Sequence, residues 1–329
     1  MIITNNSGLP QAFVNLVNYS WYDDPKDSDI SVTRLIKPPR IVNLFKRHQH
    51  EIKTDAQELV WSILGGSIHV MLERSAGNDV IVEKRLRTEI KGWKVSGKPD
   101  AYYPAKKSVH DYKVTSVWSF LSDKPEWEAQ LNLNAMLHRL HHQEVDSLTI
   151  LAILRDWSRT KAGVNSGYPQ HAVHMVGFPL WGLKMQKEYA LERIELHQKE
   201  SELSDDELTL CSPEDRWYRG GGFAVYRKGN TRATAVLETK EKAEKYMQDN
   251  PPPVPKISKK TGKPLAQQKE WVDIKERKGE NIRCLHYCEA REFCSFAKSL
   301  VNESSEEWDE SSRPEEETED STEPEYAGD

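Results

Sequence analysis

Residues 95–115 read VSGKPDAYYPAKKSVHDYKVT and have the pattern of a strand, a loop and a second strand. Asp100 follows the first strand, and Asp111 and Lys113 lie on the second. Because successive side chains of a strand point to opposite faces, Asp111 and Lys113 project to the same side. Carboxylates that hold Mg²⁺ or Mn²⁺ beside a lysine that positions water suit the hydrolysis of phosphodiesters. The stretch therefore predicts a metal site with that chemistry.

The elements after this stretch predict an α/β fold. Residues 125–142, with Pro125 in the first turn, have the composition of a helix. Residues 147–158, SLTILAILRDWS, begin with the continuous apolar run of a buried strand. The order strand, strand, helix, strand predicts a mixed central β-sheet flanked by helices. Arg155, at the end of the last strand, has either a structural role or a contact with DNA.

A helix predicted at residues 55–74 carries a further candidate ligand. Asp55 is the expected cap, and His69 and Glu73 lie four residues apart, hence on one face of the helix. An imidazole suits Mn²⁺ better than Mg²⁺. His69 is therefore a candidate metal ligand, with a purely structural role as the alternative.

The charge is distributed unevenly along the 329 residues. The net charge is −6 at pH 7, but residues 302–329 hold 13 Asp and Glu and one Arg. Residues 1–301 therefore contain 45 basic and 39 acidic side chains, a net charge of +6, which is compatible with DNA binding. The acidic tail has the composition of a disordered segment, and the Pro- and Lys-rich residues 250–268 that of a loop or linker.

The sequence also predicts where the protein is found. No apolar run approaches the length of a membrane span, and the first ten residues lack the basic and apolar regions of a signal peptide. We therefore expect a cytoplasmic protein that does not enter the membrane. Four cysteines in such a protein point to a metal site or to scattered core thiols rather than to disulfides.

Three of these cysteines crowd together near the end of the predicted core. Cys284, Cys288 and Cys294 have the spacing C-x3-C-x5-C. Thiolates at such spacing wrap one metal or cluster, and Cys211 is available as a fourth ligand from across the fold.

The segments PD at residues 99–100 and DYK at residues 111–113 resemble the signature of the PD-(D/E)xK nuclease superfamily. A helical His69 before these strands and Gln130 on the helix after them are similar to the RecB-like exonuclease branch, in particular to phage-type members. In that branch a tyrosine usually follows one helical turn after the glutamine, whereas this chain has Asn134.

The resemblance implies a role for each matched residue. Lys113 would orient the hydrolytic water, and Gln130 would contact the substrate. One or two Mg²⁺ or Mn²⁺ ions would be bound by His69, Asp100, Asp111, the backbone carbonyl of Tyr112 and, directly or through water, Glu73.

The cysteines resemble those of RecB-like nucleases that hold an iron–sulfur cluster. The resemblance implies a [4Fe–4S] cluster bound by Cys211, Cys284, Cys288 and Cys294. Two departures keep Zn²⁺ as an alternative, with His286 in place of Cys211. The first spacing is x3 rather than x2, and Cys211 follows the nuclease motifs instead of preceding them. Either metal would be a structural staple.

The resemblance predicts a metal-dependent exonuclease that acts on the ends of duplex or single-stranded DNA, in the host cytoplasm if a phage encodes it. A single-strand annealing protein is the expected partner in recombination or repair, and the oligomeric state stays open. An endonuclease of the same superfamily and a non-catalytic DNA-binding module are the alternatives. The expected division is an N-terminal helical or loop extension (1–57), a RecB-like nuclease domain (58–300) with cysteines between 211 and 294, and an acidic disordered tail (301–329).

Overall fold

The computed structural model describes residues 1–18, 27–251 and 271–306. Within these ranges the strands are β1 (Ile2–Thr4), β2 (Ile30–Ser31), β3 (Lys53–Asp55), β4 (Ile81–Val82), β5 (Leu86–Ile90), β6 (Trp93–Gly97), β7 (Ala101–Tyr103), β8 (Ser108–Thr115), β9 (Ser147–Leu154), β10 (Val173–Phe178), β11 (Tyr218–Arg219), β12 (Gly222–Arg227), β13 (Ala235–Leu237), β14 (Trp271–Arg277) and β15 (Glu280–Asn281). The α-helices are α1 (Gln11–Asn18), α2 (Val32–Leu35), α3 (Pro39–His48), α4 (Val60–Arg74), α5 (Val117–Phe120), α6 (Pro125–Leu140), α7 (Arg159–Val164), α8 (Leu183–Ser201), α9 (Lys240–Asp249) and α10 (Ser295–Glu306).

A mixed five-stranded sheet in the order β10-β9-β8-β7-β4 forms the centre of the fold. β8 and β9 are parallel, with Asp111 opposite Ile150, and the other neighbours are antiparallel. The crossover between the two parallel strands contains α6, as a parallel pair requires. The predicted α/β class with a mixed sheet flanked by helices is confirmed.

Helix α6 is the central packing element because it is covered on two sides. Leu131 and Ala135 pack on the central sheet, together with Ile150 of β9. Leu133 and Leu137 pack on a smaller sheet, β2-β6-β5, and on α8. Residues 131–138 of α6 are all buried, including the polar Asn132, Asn134 and His138. The helix therefore holds the two sheets together.

The structure corrects the interpretation of residues 95–115 as two strands joined by a loop. β6 ends at Gly97 and belongs to the smaller sheet, and β7 starts at Ala101 in the central sheet. Pro99 lies between them and has no N–H to donate to a ladder, which favours the break. Asp100 therefore lies at the point where the chain changes sheets, one residue before β7.

The N-terminal residues share the core of the chain. β2 pairs in parallel with β6, with Ile30 opposite Val95, and α3 packs against α8. At the other end, α10 includes the first six residues of the predicted tail, and residues 307–329 lie outside the described residues, as does the predicted linker from 252 onward. The three predicted domains stay a prediction. In the described ranges, no helix combines the length and apolar character that a membrane crossing requires.

Candidate functional site

The face of strand β8 that points toward α6 changes from apolar to charged along the strand. Val109, Asp111 and Lys113 alternate with residues of the opposite face, and Val109 packs in the core beneath α6. Asp111 and Lys113, two and four residues after Val109, contact Gln130 of α6. The period of two in a strand thus places both charged groups on the α6 side, as the sequence predicts.

Asp111, Lys113 and Gln130 form a closed polar network. Gln130 Nε2 donates to Asp111 Oδ1 at 2.9 Å, and Lys113 Nζ donates to Gln130 Oε1 at 3.1 Å. Lys113 Nζ lies 2.8 Å from Asp111 Oδ2. The glutamine therefore holds the lysine and the carboxylate in one arrangement.

The carboxylate of Asp111 is buried, with 3% of its surface exposed. Burial raises the pKa of Asp111 above its ordinary value, Lys113 opposes this shift, and the charge of Asp100 reinforces it. Asp111 Oδ2 is paired with the Lys113 ammonium, as a buried charge normally is. A carboxylate of this kind is also a donor that suits a divalent cation.

Asp100 connects the strand β8 to the helix α4. Its Oδ2 accepts a hydrogen bond of 2.5 Å from the backbone N–H of Tyr112, and its Oδ1 lies 3.2 Å from His69 Nδ1. The ring of Tyr112 lies on the other face of β8 and meets the His69 ring edge-on at 5.9 Å. The pKa of His69 is raised because its hydrogen bond and charge interaction with Asp100 outweigh the opposing effect of burial.

Glu83 completes the group of candidate ligands, and sequence reasoning missed it. His69, Glu83 and Asp100 each offer a ligand atom within 4.8 Å of the other two. The Glu83 N–H donates to the Asp100 carbonyl at 3.2 Å, which extends the pairing of β4 with β7 by one position. Glu83 has a left-handed backbone with φ of 51°, which is costly outside glycine, and its carboxylate pairs with Lys98. No motif or periodicity marks this residue. Only the strand pairing would identify it.

Glu73 is not part of this group of ligand atoms. It is exposed on α4, one turn beyond His69. Burial raises the pKa of Glu83, and the charge of Glu73 adds a smaller contribution in the same direction. The structure therefore brings His69 and Asp100 together in one group, and Asp111, Lys113 and Gln130 in a second. The charges of the two groups interact, and Glu73 belongs to neither.

The donor set fits a divalent cation. It combines one imidazole with carboxylates, and oxygen donors suit Mg²⁺ or Mn²⁺ while the imidazole favours Mn²⁺. The close approach of the ligand atoms of His69, Glu83 and Asp100 agrees with this fit.

The four cysteines line one small cavity beside α3. Cys211 reaches it from the segment after α8, and Cys284, Cys288 and Cys294 reach it from the C-terminal residues. Burial raises the pKa of Cys211 to about 12 and that of Cys284 to about 11. His286, the alternative fourth ligand, is exposed and is not among the residues that line the cavity.

A buried arginine crosses one wall of the cysteine cavity. Arg40 Nε donates to Cys294 Sγ at 3.3 Å, and the same guanidinium donates to the Leu208 carbonyl and to Ser295 Oγ. Leu44, Leu208 and Cys294 pack beside it in one apolar cluster. The cavity therefore joins α3 to two segments that are distant in sequence.

Comparison with known proteins finds similarity in solved structures. No family model and no curated protein matches the chain. The protein SSO0001 has a TM-score of 0.40 and 20% identity over 56% of this chain and 84% of its own. An alkaline exonuclease from Laribacter hongkongensis has a TM-score of 0.34 and 10% identity over 52% of this chain and 89% of its own. A phage-related exonuclease from Haemophilus somnus 129PT has a TM-score of 0.27 and 13% identity over 59% of this chain and 83% of its own. Similarity at this level assigns no function, so any assignment depends on the geometry of the site.

Proposed function

We propose that the protein is a metal-dependent deoxyribonuclease that hydrolyses phosphodiester bonds at DNA ends. One observation carries the proposal: the Asp111–Lys113–Gln130 network and the His69–Asp100 pair are close enough for their charges to interact. Carboxylates and an imidazole beside a held lysine are the groups that metal-assisted phosphodiester hydrolysis needs.

The metal ligands of this proposal come from four elements. They are His69 of α4, Glu83 after β4, Asp100 before β7 and Asp111 of β8, with the carbonyl of Tyr112 as a further ligand and Glu73 acting through water. One or two bound Mg²⁺ or Mn²⁺ ions would polarise the phosphate and lower the pKa of the attacking water. Asp100 has a second task, because its bonds to Tyr112 and His69 hold the helix against the strand.

Lys113 orients the hydrolytic water and balances negative charge on the phosphate. Its contacts with Asp111 and Gln130 limit the positions that the ammonium group can take. Gln130 therefore positions the lysine and contacts the substrate strand. Holding catalytic groups in the required arrangement before substrate binds lowers the entropic part of the barrier.

The cysteines hold a [4Fe–4S] cluster in this proposal, with Zn²⁺ as the alternative. The presence of all four cysteines at one cavity supports a shared ligand. Four thiolates fit either group, and the choice of the cluster over zinc follows the sequence resemblance. The cluster would staple the C-terminal segment to α3.

The finer assignments follow the sequence resemblance. They are membership of the RecB-like, phage-type branch, a role in recombination or repair, and cooperation with a single-strand annealing protein. The net charge of +6 over residues 1–301 supports DNA as the substrate. A restriction-type or junction-resolving endonuclease would use the same groups. The two activities are therefore distinguished by which DNA substrates are cleaved.

The deciding experiment is degradation of a linear duplex labelled separately on each strand and at each end. Reactions contain Mn²⁺, Mg²⁺ or no divalent ion, and a covalently closed circle is tested in parallel. We expect loss of linear DNA alone, with a decrease of about 100-fold or more for Lys113→Ala. Lys107→Ala, which alters a partly exposed lysine just before β8 that pairs with Glu144, is the control, with its fold checked by circular dichroism because Lys107 has a left-handed backbone.

The outcomes separate the alternatives. Cutting of the circle would assign an endonuclease. Metal-independent cleavage, or equal activity of the Lys113→Ala and Lys107→Ala variants, would overturn the proposed site. Absence of cleavage together with DNA binding would favour the non-catalytic module.

A further inference from the structure

Two exposed tryptophans carry arginine side chains on their faces. Trp61 of α4 and Trp118 of α5 are 55% and 65% exposed. The guanidinium carbon of Arg155 lies 4.4 Å from the centre of the Trp61 ring, and that of Arg219 lies 5.0 Å from the Trp118 ring. We call these four residues the stacking surface.

The stacking surface combines apolar rings with the positive charge of two guanidinium groups. In the described ranges no acidic side chain forms an ion pair with Arg155 or Arg219, and Glu280 is the cross-strand neighbour of Arg219. Each guanidinium can pair with an anion while it stacks on its indole ring.

The two halves of the stacking surface meet where strands β8 and β9 end. The Arg155 N–H donates to the Thr115 carbonyl at 2.9 Å, and Asp156 Oδ1 accepts from the Val117 N–H at 2.7 Å. These bonds hold the start of α5, the helix of Trp118, against Arg155, whose side chain lies on Trp61. The two pairs thus lie at the same end of the parallel strands β8 and β9.

The same elements connect the stacking surface to the candidate metal site. Lys113 is five residues before Trp118 on the chain that leaves β8, and α4 carries both Trp61 and His69. Eight residues of helix correspond to about 12 Å along the axis. A strand bound at the surface therefore ends within a few nucleotides of the metal site.

We propose that the stacking surface binds unpaired DNA, with bases stacked on Trp61 and Trp118 and phosphates paired with Arg155 and Arg219. Aromatic rings interleaved with cations recognise single strands because every unpaired base offers a free ring face. In a duplex those faces are covered by neighbouring base pairs, so the surface prefers a single strand over a duplex. The idea that the bound strand is also the strand that is cleaved rests on the proposed nuclease function. Binding of the strand does not depend on that function.

The experiment compares three labelled ligands of equal length by fluorescence anisotropy: a single strand, an abasic strand and a duplex. The full-length protein is used without added divalent ions and at one fixed salt concentration, because phosphate contacts depend strongly on salt. We expect the wild type to bind the normal single strand most tightly. Trp118→Ala lowers affinity for that strand about tenfold and leaves the abasic strand unaffected, while Arg219→Ala weakens both.

Three further variants serve as controls. Trp61→Ala tests the other half of the surface and is expected to act as Trp118→Ala does. Trp118→Phe keeps a ring face and is expected to retain most of the affinity. Arg227→Ala removes a guanidinium that lies 4.5 Å from the Trp271 ring in the separate β13-β12-β14 sheet, and is expected to bind as the wild type does.

The outcomes distinguish this inference from the proposed function. Equal affinity of the wild type for normal and abasic strands, or for single strand and duplex, would overturn the stacking surface. A loss of affinity for Arg227→Ala as large as that for Arg219→Ala would overturn it as well. Base-dependent binding by a protein that cleaves no DNA with Mn²⁺ would support the surface and contradict the nuclease.

Discussion

Asp100 and His69 join two elements that are remote in sequence: Asp100 Oδ1 lies 3.2 Å from His69 Nδ1, and Asp100 Oδ2 accepts from the Tyr112 N–H. One carboxylate therefore aligns helix α4 with strand β8 while one of its oxygens faces the imidazole. This relationship makes the metal site sensitive to small changes at Asp100.

Asp100→Asn is expected to weaken Mn²⁺ binding about tenfold or more while the fold is retained. The amide oxygen still accepts from Tyr112, but the charge that attracts the cation is lost. Isothermal titration with Mn²⁺ measures the affinity, and circular dichroism checks the fold. An unchanged affinity would remove Asp100 from the ligand set.

Glu83→Gln and Glu73→Gln compare two candidate metal ligands. Glu83 was identified from the pairing of β4 with β7, and Glu73 was predicted from its position one helical turn after His69. Glu83 lies within the group of ligand atoms, and Glu73 is exposed outside it. We expect Glu83→Gln to weaken Mn²⁺ binding about tenfold and Glu73→Gln to have a much smaller effect. The reverse order in the titration would favour Glu73 as the direct ligand.

Gly97→Ala is expected to destabilise the protein by about 1–3 kcal/mol, because an added methyl group meets helix α6. Its Cβ would lie 2.5 Å from both Asn134 Oδ1 and Leu137 Cδ1. Gly182→Ala is the matched control, since nothing lies within 4 Å of the new Cβ. Urea unfolding measures the change in the free energy of unfolding for each variant. Similar midpoints for the two variants would contradict the close packing at Gly97.

Cys211→Ser is expected to remove the metal or cluster and to lower the unfolding temperature, whereas His286→Ala should do neither. Cys211 lines the cysteine cavity, and His286 is exposed outside it. Iron, acid-labile sulfide and zinc are assayed in the purified proteins. Iron with an equal amount of sulfide identifies the cluster, while zinc without sulfide identifies the alternative. If only His286→Ala lost the metal, the fourth ligand would be His286 rather than Cys211.

The histidine at the end of α3 gives stability that depends on pH. Hydrogen bonds to Asp205 and Glu51 raise the pKa of His48 above 6.5, and Asp205 also pairs with Arg47. A raised pKa means that the folded state favours the protonated form, so this stabilisation is complete below pH 6.5 and disappears as pH rises through the folded pKa. Thermal unfolding of wild type and His48→Gln should therefore differ most on the acidic side of this range. A difference that grows with pH would contradict the assignment.

Much of the site was predictable because its residues act through short-range periodicity. Asp111 and Lys113 share a face because they are two apart on one strand, and Gln130 follows on the next long helix. Asp55, the predicted cap, accepts from the Gln57 N–H at the start of a 3-10 helix (Ala56–Leu59), and α4 with His69 follows at Val60. By contrast, Asp100 was expected at the end of a strand, and it lies where the chain passes from one sheet to the other.

The sequence alone determined the order of β8, α6 and β9, the shared face of Asp111 and Lys113 and the crowding of three cysteines, because these follow from neighbours a few residues apart. Tertiary structure alone decided that Glu83 approaches Asp100, since this depends on the pairing of β4 with β7 and on a left-handed backbone. It also decided that Cys211 joins the other cysteines and that Trp118 and Arg219 meet. These contacts join residues from 17 to 101 positions apart and are selected by packing of the whole core, and local sequence pattern carries no record of them.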